Sequence, residues 1–260
     1  MPTGFWPNAH ALVTGGGSGI GAATALALVQ AGVRVSIAGR RPDALARTAA
    51  SLGELAAAVV AMDVTDEAAV ADGVARIEAE AGPVDILVNN AGRALGAPFE
   101  KTDAALWSDM LASNLTGVFF VTRAVLPGMA RRGRGRIINV ASTAGLTGYA
   151  YVSAYVAAKH GVVGLTRALA LEYARRGVTV NAVCPGYTDT PLVAEAAANI
   201  VAKTGRSEVE ARLALAKVNP MQRLVTPQEV ADAILWLASA GASAINGQAV
   251  AVAGGEVFTG

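Results

Sequence analysis

His10-Ala-Leu-Val-Thr14-Gly15-Gly-Gly-Ser18-Gly19-Ile20-Gly21 is an apolar run that ends in a glycine-rich turn, and a long Ala/Leu-rich segment follows it. A short apolar run bounded by glycine reads as a buried strand, and the segment after it as a helix. A turn of this kind between strand and helix can hold a dinucleotide phosphate. Its glycines permit a tight bend and close backbone approach, and the helix N-terminus offers free N–H groups to an anion. Gly15, Ser18, Gly19, Ile20 and Gly21 are therefore candidate cofactor contacts. The spacing is Gly-x-x-x-Gly-x-Gly. Glycine clusters also serve ordinary turns, so the rest of the chain must support the reading.

Outward from this unit the rhythm repeats. Further strand candidates are 34–38, 57–62, 84–89, 135–141, 178–184 and 248–252, separated by segments of helical length. This alternation predicts an α/β fold: a doubly wound, mostly parallel sheet of about seven strands with helices on both faces. No linker, charge block or repeat divides the 260 residues, so a single domain over 1–260 is expected. Between Thr188 and Val225 the rhythm breaks. Two helices are expected there, over 191–203 and 207–217, as a small substrate lid over about 188–225.

Apolar residues make up 53% of the chain and charged ones 16%, which suits a sheet covered on both faces. The formal net charge of +1 leaves no electrostatic footprint for nucleic acid or an anionic membrane. No apolar run reads as long enough to span a bilayer. The first strand begins within about ten residues of the start, without room for a signal peptide, and a cytoplasmic protein is expected. Cys184 is the single cysteine and reads as a buried thiol. No cluster has metal-ligand spacing, so no metal is expected.

The end of the second strand bears on which nicotinamide cofactor fits. An acid there would accept from the adenosine ribose; this chain has Gly39-Arg40-Arg41. Arg40 is placed to pair with a 2′-phosphate, which favours NADP(H), while the absence of an acid also permits NAD(H). The alternative is a solvated arginine pair at a helix start. Asp63-Val64 follows the third strand and is a candidate for the adenine edge, or simply an Asp near a helix N-terminus. Asn90-Ala91-Gly92 follows the fourth strand, where small residues let the chain pass close to the adenosine half.

Tyr155 and Lys159 stand four residues apart and so share one helix face. A tyrosine hydroxyl titrates near ~10, and a nearby ammonium favours its phenolate. The pair can move a proton to or from an alcohol oxygen. Ser142 ends the strand Ile137-Ile-Asn-Val-Ala and can polarise the same oxygen. No Gly-x-Ser-x-Gly surrounds it, and His10 and His160 read as structural, which argues against a hydrolase.

Thr14-Gly-x-x-x-Gly-x-Gly21, Asn89-Asn-Ala-Gly92, Ser142, Tyr155-x-x-x-Lys159 and Pro185-Gly186 come in order over the full chain. In this the chain resembles the short-chain dehydrogenase/reductase family, of the ordinary single-domain kind. The resemblance implies a catalytic tetrad of Asn114, Ser142, Tyr155 and Lys159. Asn114 falls within a long helix, where asparagine is a poor former, and a local distortion there could hold a water linked to Lys159. Lys159 would hold the nicotinamide ribose, and Pro185, Gly186 and Thr188 the carboxamide. The resemblance also implies a homotetramer, to which Ala157, Ala158, Gly161 and Gly164 offer close helix packing. Internal packing is the alternative use of those small residues.

Candidate substrate walls are Ser142, Ala144, Leu146, Tyr149, Tyr151, Tyr155, Tyr187 and Leu192, mostly apolar or aromatic. Lys203, Arg206, Arg212 and Lys217 could meet the phosphates of a coenzyme A or carrier-protein arm, or be solvated helix faces. The segments from Asn90 to Arg93, Asn114 to Phe119 and Lys159 to Thr166 look like those of 3-oxoacyl-thioester and polyketide ketoreductases. A 3-oxoacyl or 3-hydroxyacyl thioester is thus the expected substrate. The alternatives are a small or cyclic secondary alcohol or ketone and, in another class, a non-catalytic dinucleotide-binding regulator.

Overall fold

The structure, a computed structural model, is described for residues 4–258, without the side chain of Lys203. Seven strands form one sheet in the order β3-β2-β1-β4-β5-β6-β7, and every pair in it is parallel. They are β1 (His10–Thr14), β2 (Arg34–Gly39), β3 (Ala56–Ala61), β4 (Ile86–Asn89), β5 (Gly135–Val140), β6 (Val178–Pro185) and β7 (Ala249–Val252). Each expected strand is found within two residues of its expected ends.

Strands β1, β4, β5 and β6 are buried at every position, which is why they read as unbroken apolar runs. Alternate residues serve opposite faces. Ala11 and Val13 join Val35, Ile37, Leu28 and Ile234 on one side. Leu12 and Leu87 join Val74, Ile77, Val125 and Met129 on the other. The first side is covered by α1 (Gly19–Gln30), α2 (Pro42–Leu52) and α9 (Pro227–Ala238), and the second by α3 (Glu67–Ala81) and helices between β4 and β6. Burying a side chain such as Leu12 or Leu28 stabilises the fold by roughly 1.5–3 kcal/mol.

The chain winds outward in both directions from the β1–β4 pair, whose register sets Val13 beside Val88. The crevice beyond the carboxyl ends of β1 and β4 is the switch point where ligands of such sheets bind.

After β4 come α4 (Ala104–Leu111), a single π-helical turn (Ala112–Thr116) and α5 (Gly117–Arg132). They run as one 29-residue helix with a hydropathy of 1.3 over its most apolar window, enough by length and composition to cross a bilayer. This corrects the expectation that no such stretch exists. Asp109 and Arg123 interrupt the apolar run in the sequence and hide its length. Half of that window is buried within the protein, where Val118, Val121, Val125 and Met129 face the core.

Helix α6 (Ser153–Tyr173) connects β5 to β6. Between β6 and α9, α7 (Pro191–Thr204) and α8 (Glu208–Ala216) stand outside the sheet with a small core of their own, Val193, Ala197, Ala211 and Leu215. A lone parallel bridge between Thr188 and Val225 closes the neck of this excursion. Capping boxes start α8 (Ser207 with Glu210) and α9 (Thr226 with Glu229).

Candidate active site

The glycine turn after β1 is laced to the segment after β4. The Asn90 side-chain amide donates to the carbonyls of Thr14 (3.0 Å) and Gly15 (3.3 Å). The Thr14 hydroxyl accepts from the N–H groups of Asn90 (3.0 Å) and Ala91 (3.1 Å). Two glycines are obligatory here. Gly15 has φ +64°, and a Cβ on it would lie 2.8 Å from Asn90 Nδ2; a Cβ on Gly21 would lie 2.3 Å from the Gly15 carbonyl oxygen. In the sequence Thr14 only opens the glycine motif, and its hydrogen-bonding role depends on a partner 76 residues away.

Ser18 precedes α1 in extended conformation, makes no side-chain cap, and no acid stands in the first turn. The N–H groups of that turn are thus left for an anion, which fits the pyrophosphate of a nicotinamide dinucleotide. Ser18 Oγ instead accepts from Arg41 Nη2 at 3.0 Å. Arg41 therefore reaches the phosphate turn, although the sequence pointed only to Arg40.

Arg40 is exposed and faces Asp63. Burial opposes the ionisation of Asp63. The Thr65 N–H and hydroxyl, with Arg40 and Arg93 nearby, nonetheless hold its carboxyl below the usual value. Asp63 Oδ1 is engaged by Thr65 at 2.9 and 2.8 Å, and Asp66, not Asp63, caps α3. Val64 is buried and close to Gly117.

The π-turn between α4 and α5 carries Asn114, fully buried. Its amide donates to the carbonyls of Arg93 (2.9 Å) and Met110 (3.0 Å), and its Oδ1 accepts from the Arg93 N–H (3.2 Å). The distortion expected from an asparagine inside a helix is thus present. A Cβ on Gly92 would lie 2.7 Å from Asn114 Oδ1 and 3.8 Å from Lys159 Nζ, so Gly92 separates these two groups.

Lys159 is 5% exposed, and its ammonium donates to the Val140 carbonyl at 2.9 Å. Burial without a carboxylate partner pulls its pKa down to about 8. Its Nζ stands 5.6 Å from the centre of the Tyr155 ring. Burial lifts the Tyr155 hydroxyl to about 12, and a hydrogen bond with Ser142 is what opposes the rise. In this cofactor-free arrangement Ser142, rather than Lys159, favours the phenolate. Ser142 Oγ also accepts from the Ala144 N–H at 3.1 Å.

Beyond β6, Thr188 is buried and its hydroxyl donates to the Gly186 carbonyl at 3.0 Å, while the Gly186 N–H bonds to Val252. Ala144 is buried beside Ser142, and Tyr187 is half-buried near Tyr155. Tyr149 donates its hydroxyl proton to the Glu256 carboxylate and accepts from the Thr143 hydroxyl at 2.8 Å. Thr143 and Glu256 had no sequence signal.

Leu192 is 37% exposed at the start of α7. Leu146 packs on the Val162–Val163 cluster, and Tyr151 is 69% exposed at φ +68°. Arg212 pairs with Asp189 at 2.7 Å, and Arg206 and Lys217 are exposed. His10 is buried between the Gly82 carbonyl (2.9 Å) and Ser36 Oγ (2.8 Å), and His160 bonds to the Val156 carbonyl (3.0 Å), both away from this cluster.

A family model described as short chain dehydrogenase matches residues 9–200. A putative ketoacyl reductase of Streptomyces coelicolor is 44% identical over 251 residues, covering 94% of this chain and 95% of the relative. An acetoacetyl-CoA reductase of Rhizobium meliloti is 42% identical over 248 residues, covering 95% and 98%. A crystal structure of a single-substitution variant of actinorhodin polyketide ketoreductase with NADPH superposes with a TM-score of 0.92 at 43% identity, covering 96% and 97%. The match spans both the sheet that makes the crevice and the residues gathered around it, and the chain belongs to the short-chain dehydrogenase family, oxidoreductases that pass a hydride between a nicotinamide dinucleotide and a carbonyl or secondary alcohol.

Proposed function

We propose that the protein is an NADPH-dependent reductase of 3-oxoacyl thioesters, using Asn114, Ser142, Tyr155 and Lys159. The observation that carries the reaction is the meeting of Ser142 and Tyr155 beside a buried, acid-free Lys159. Bound NADPH supplies the hydride. Ser142 donates a hydrogen bond to the substrate carbonyl oxygen, and Tyr155 gives that oxygen its proton. A phenol held near 12 stays protonated at neutral pH, so its proton is in place for the reductive direction. Lys159, which here donates to the Val140 carbonyl, would hold the nicotinamide ribose and favour the phenolate. Asn114 fixes the π-turn against Arg93, and Gly186 and Thr188, joined by their own hydrogen bond, would position the carboxamide.

The choice of NADPH is supported by Arg40 and Arg41 at the end of β2, where no acid stands. The thioester is supported by the names of the relatives above. The segment 188–225 serves as the lid of a single domain, and Arg212 ties α8 to Asp189 beside the carboxamide turn. A homotetramer is supported by apolar side chains on the outer faces of α5 and α6, Phe119 (41% exposed) and Leu171 (84% exposed). Gly161 by contrast is used within the chain, against Leu115.

Initial rates with acetoacetyl-CoA test the proposal, comparing NADPH and NADH for the wild type and Arg40→Asp. Turnover with NADPH, and a fall of about tenfold or more in the NADPH/NADH ratio on charge reversal, is expected, because a charge-assisted bond is worth about 1.5–3 kcal/mol. An unchanged ratio overturns the cofactor assignment. Reduction of ketones but not of acetoacetyl-CoA overturns the thioester.

A further inference from the structure

The neighbourhood of the candidate pocket holds one carboxylate that hydride transfer does not use. Glu256 is carried on the tail after β7, which turns at Gly254 and Gly255 with φ +59° and +90°. The tail is wedged in place. A Cβ on Gly254 would collide with Asn219 Oδ1 at 2.0 Å, and one on Gly255 would touch Pro220 at 3.7 Å. A Cβ on Gly186 would lie 2.6 Å from Glu256 Oε2.

One carboxylate oxygen accepts from Tyr149, whose hydroxyl also reaches Thr143, the neighbour of Ser142. The other oxygen is buried with no hydrogen-bond partner. None of the ion pairs among the described residues includes Glu256. The carboxylate thus stands between Gly186, proposed for the carboxamide, and Tyr149 with Thr143, beside Ser142, and no cation among the described residues pairs with it. Its charge reaches the pocket walls. The Tyr149 and Tyr187 hydroxyls are raised first by burial and further by Glu256, and Tyr187 in turn bears on Tyr155.

We propose that Glu256 is a specificity-determining residue that filters substrates by charge. It rejects carbonyl compounds with a free carboxylate close to the reacting carbon, and admits those in which that group is esterified or absent. A free 3-oxo acid would bring a second anion to a partly desolvated wall, where like charges repel more strongly than in water. In the thioester the same carbon carries no charge. The filter rests on the reductase reading of the site, but not on which neutral substrate is natural.

The test is steady-state kcat/KM with NADPH for three substrates: the N-acetylcysteamine thioester of acetoacetate, 2,4-pentanedione and free acetoacetate. Wild type is compared with Glu256→Gln, which keeps an acceptor for Tyr149. The expected result is a fall of about tenfold or more in the neutral-to-acid ratio, through a rise for acetoacetate. A ratio that moves by less than about threefold, or an equal loss on all three substrates, overturns the proposal. Tyr149→Phe, which keeps the charge, should retain the wild-type ratio; if it shifts the ratio as much as Glu256→Gln, packing rather than charge sets specificity and the proposal fails. Should the wild type reduce pentanedione but not the thioester, the thioester reading alone falls, and the pentanedione-to-acetoacetate ratio still decides the role of Glu256.

Discussion

Lys159 is an ammonium buried without an acid, and removing it should relieve the fold while it destroys the enzyme. Its pKa falls from 10.5 in an exposed lysine to about 8 in the native chain. Each unit is worth about 1.4 kcal/mol, so the charged lysine costs the native state on the order of 3 kcal/mol at pH 7. Lys159→Met removes that cost but leaves the Val140 carbonyl without its 2.9 Å donor, a loss of about 1–3 kcal/mol. The net effect at pH 7 is between about zero and 2 kcal/mol of added stability. The pH dependence is sharper than the absolute value. A depressed native pKa means that the unfolded chain binds more protons between about pH 8 and 10.5, so stability rises with pH across that window. The lysine's contribution is full above about 10.5 and lost as the pH falls through about 8. Tyr155 has the opposite sign but acts only above about pH 10, where the unfolded phenol ionises. Cys184, raised to about 11, is present in both proteins. Thermal denaturation followed by circular dichroism between pH 7.5 and 9.5 therefore isolates the lysine. Relative to Lys159→Met, the wild type should gain roughly 2 kcal/mol over this range, or about 4–8 °C in Tm for a chain of this size. A difference in Tm that stays flat across the range would refute the uncompensated-ammonium argument. So would a variant melting more than about 5 °C below wild type at pH 7.5.

Tyr155→Phe should retain NADPH binding by fluorescence titration and lose about 10²–10⁴-fold in kcat. Activity within about tenfold of wild type would remove the proton-donor role and reopen the reading of a dinucleotide-binding regulator. The apolar faces around Phe119 and Leu171 should be covered by copies of the chain, so sedimentation velocity at micromolar concentration should give a tetramer. A monomer there would remove that assembly.

The elements were legible because a sheet covered on both faces needs unbroken apolar strands. Val178 to Pro185 is buried at every position, and the sequence announces it by its valines. Ser142, Tyr155 and Lys159 were legible because local spacing fixes their place: a strand end and one helix face. The lacing of Thr14 to Asn90 was not, since it joins residues 76 apart across the sheet. Arg41 is hard to tell from Arg40 in the sequence because adjacent residues leave a turn in different directions, and only the fold shows which one meets Ser18. Glu256 was invisible for a similar reason. The glycines before it erase any periodicity, and its meaning arises only where the tail passes Tyr149 and Gly186. The length of the α4–α5 helix was hidden by Asp109 and Arg123, which sit on its outer side, in ion pairs with Arg93 and Glu67.

The two edges of the sheet divide the labour. At the carboxyl edge stand an unpaired lysine, an asparagine in a π-turn, a carboxylate oxygen with no partner and Tyr151 at φ +68°. Each breaks a rule that favours stability, and such breaches gather where chemistry is done. At the amino edge charges gather round one carboxylate, and the buried Arg136, which has no acid, rests on the Gly135 carbonyl and the Trp6 ring. Asp85, with its side chain 2% exposed, takes Arg134 through two bonds of 3.1 and 3.2 Å, with Arg132 at 3.5 Å and the His10 N–H at 3.4 Å. Arg134 and Arg136 lie 5.5 and 4.9 Å from the Trp6 ring, which holds the segment before β1 to the start of β5. Asp85 is the buried member of this set, and its two partly exposed arginines keep its charge from being left alone. Parallel strands make the separation possible, because all seven begin at one edge and end at the other. The fold can thus be fastened at the starts of its strands while their ends keep the desolvated, unpaired groups that hydride and proton transfer require.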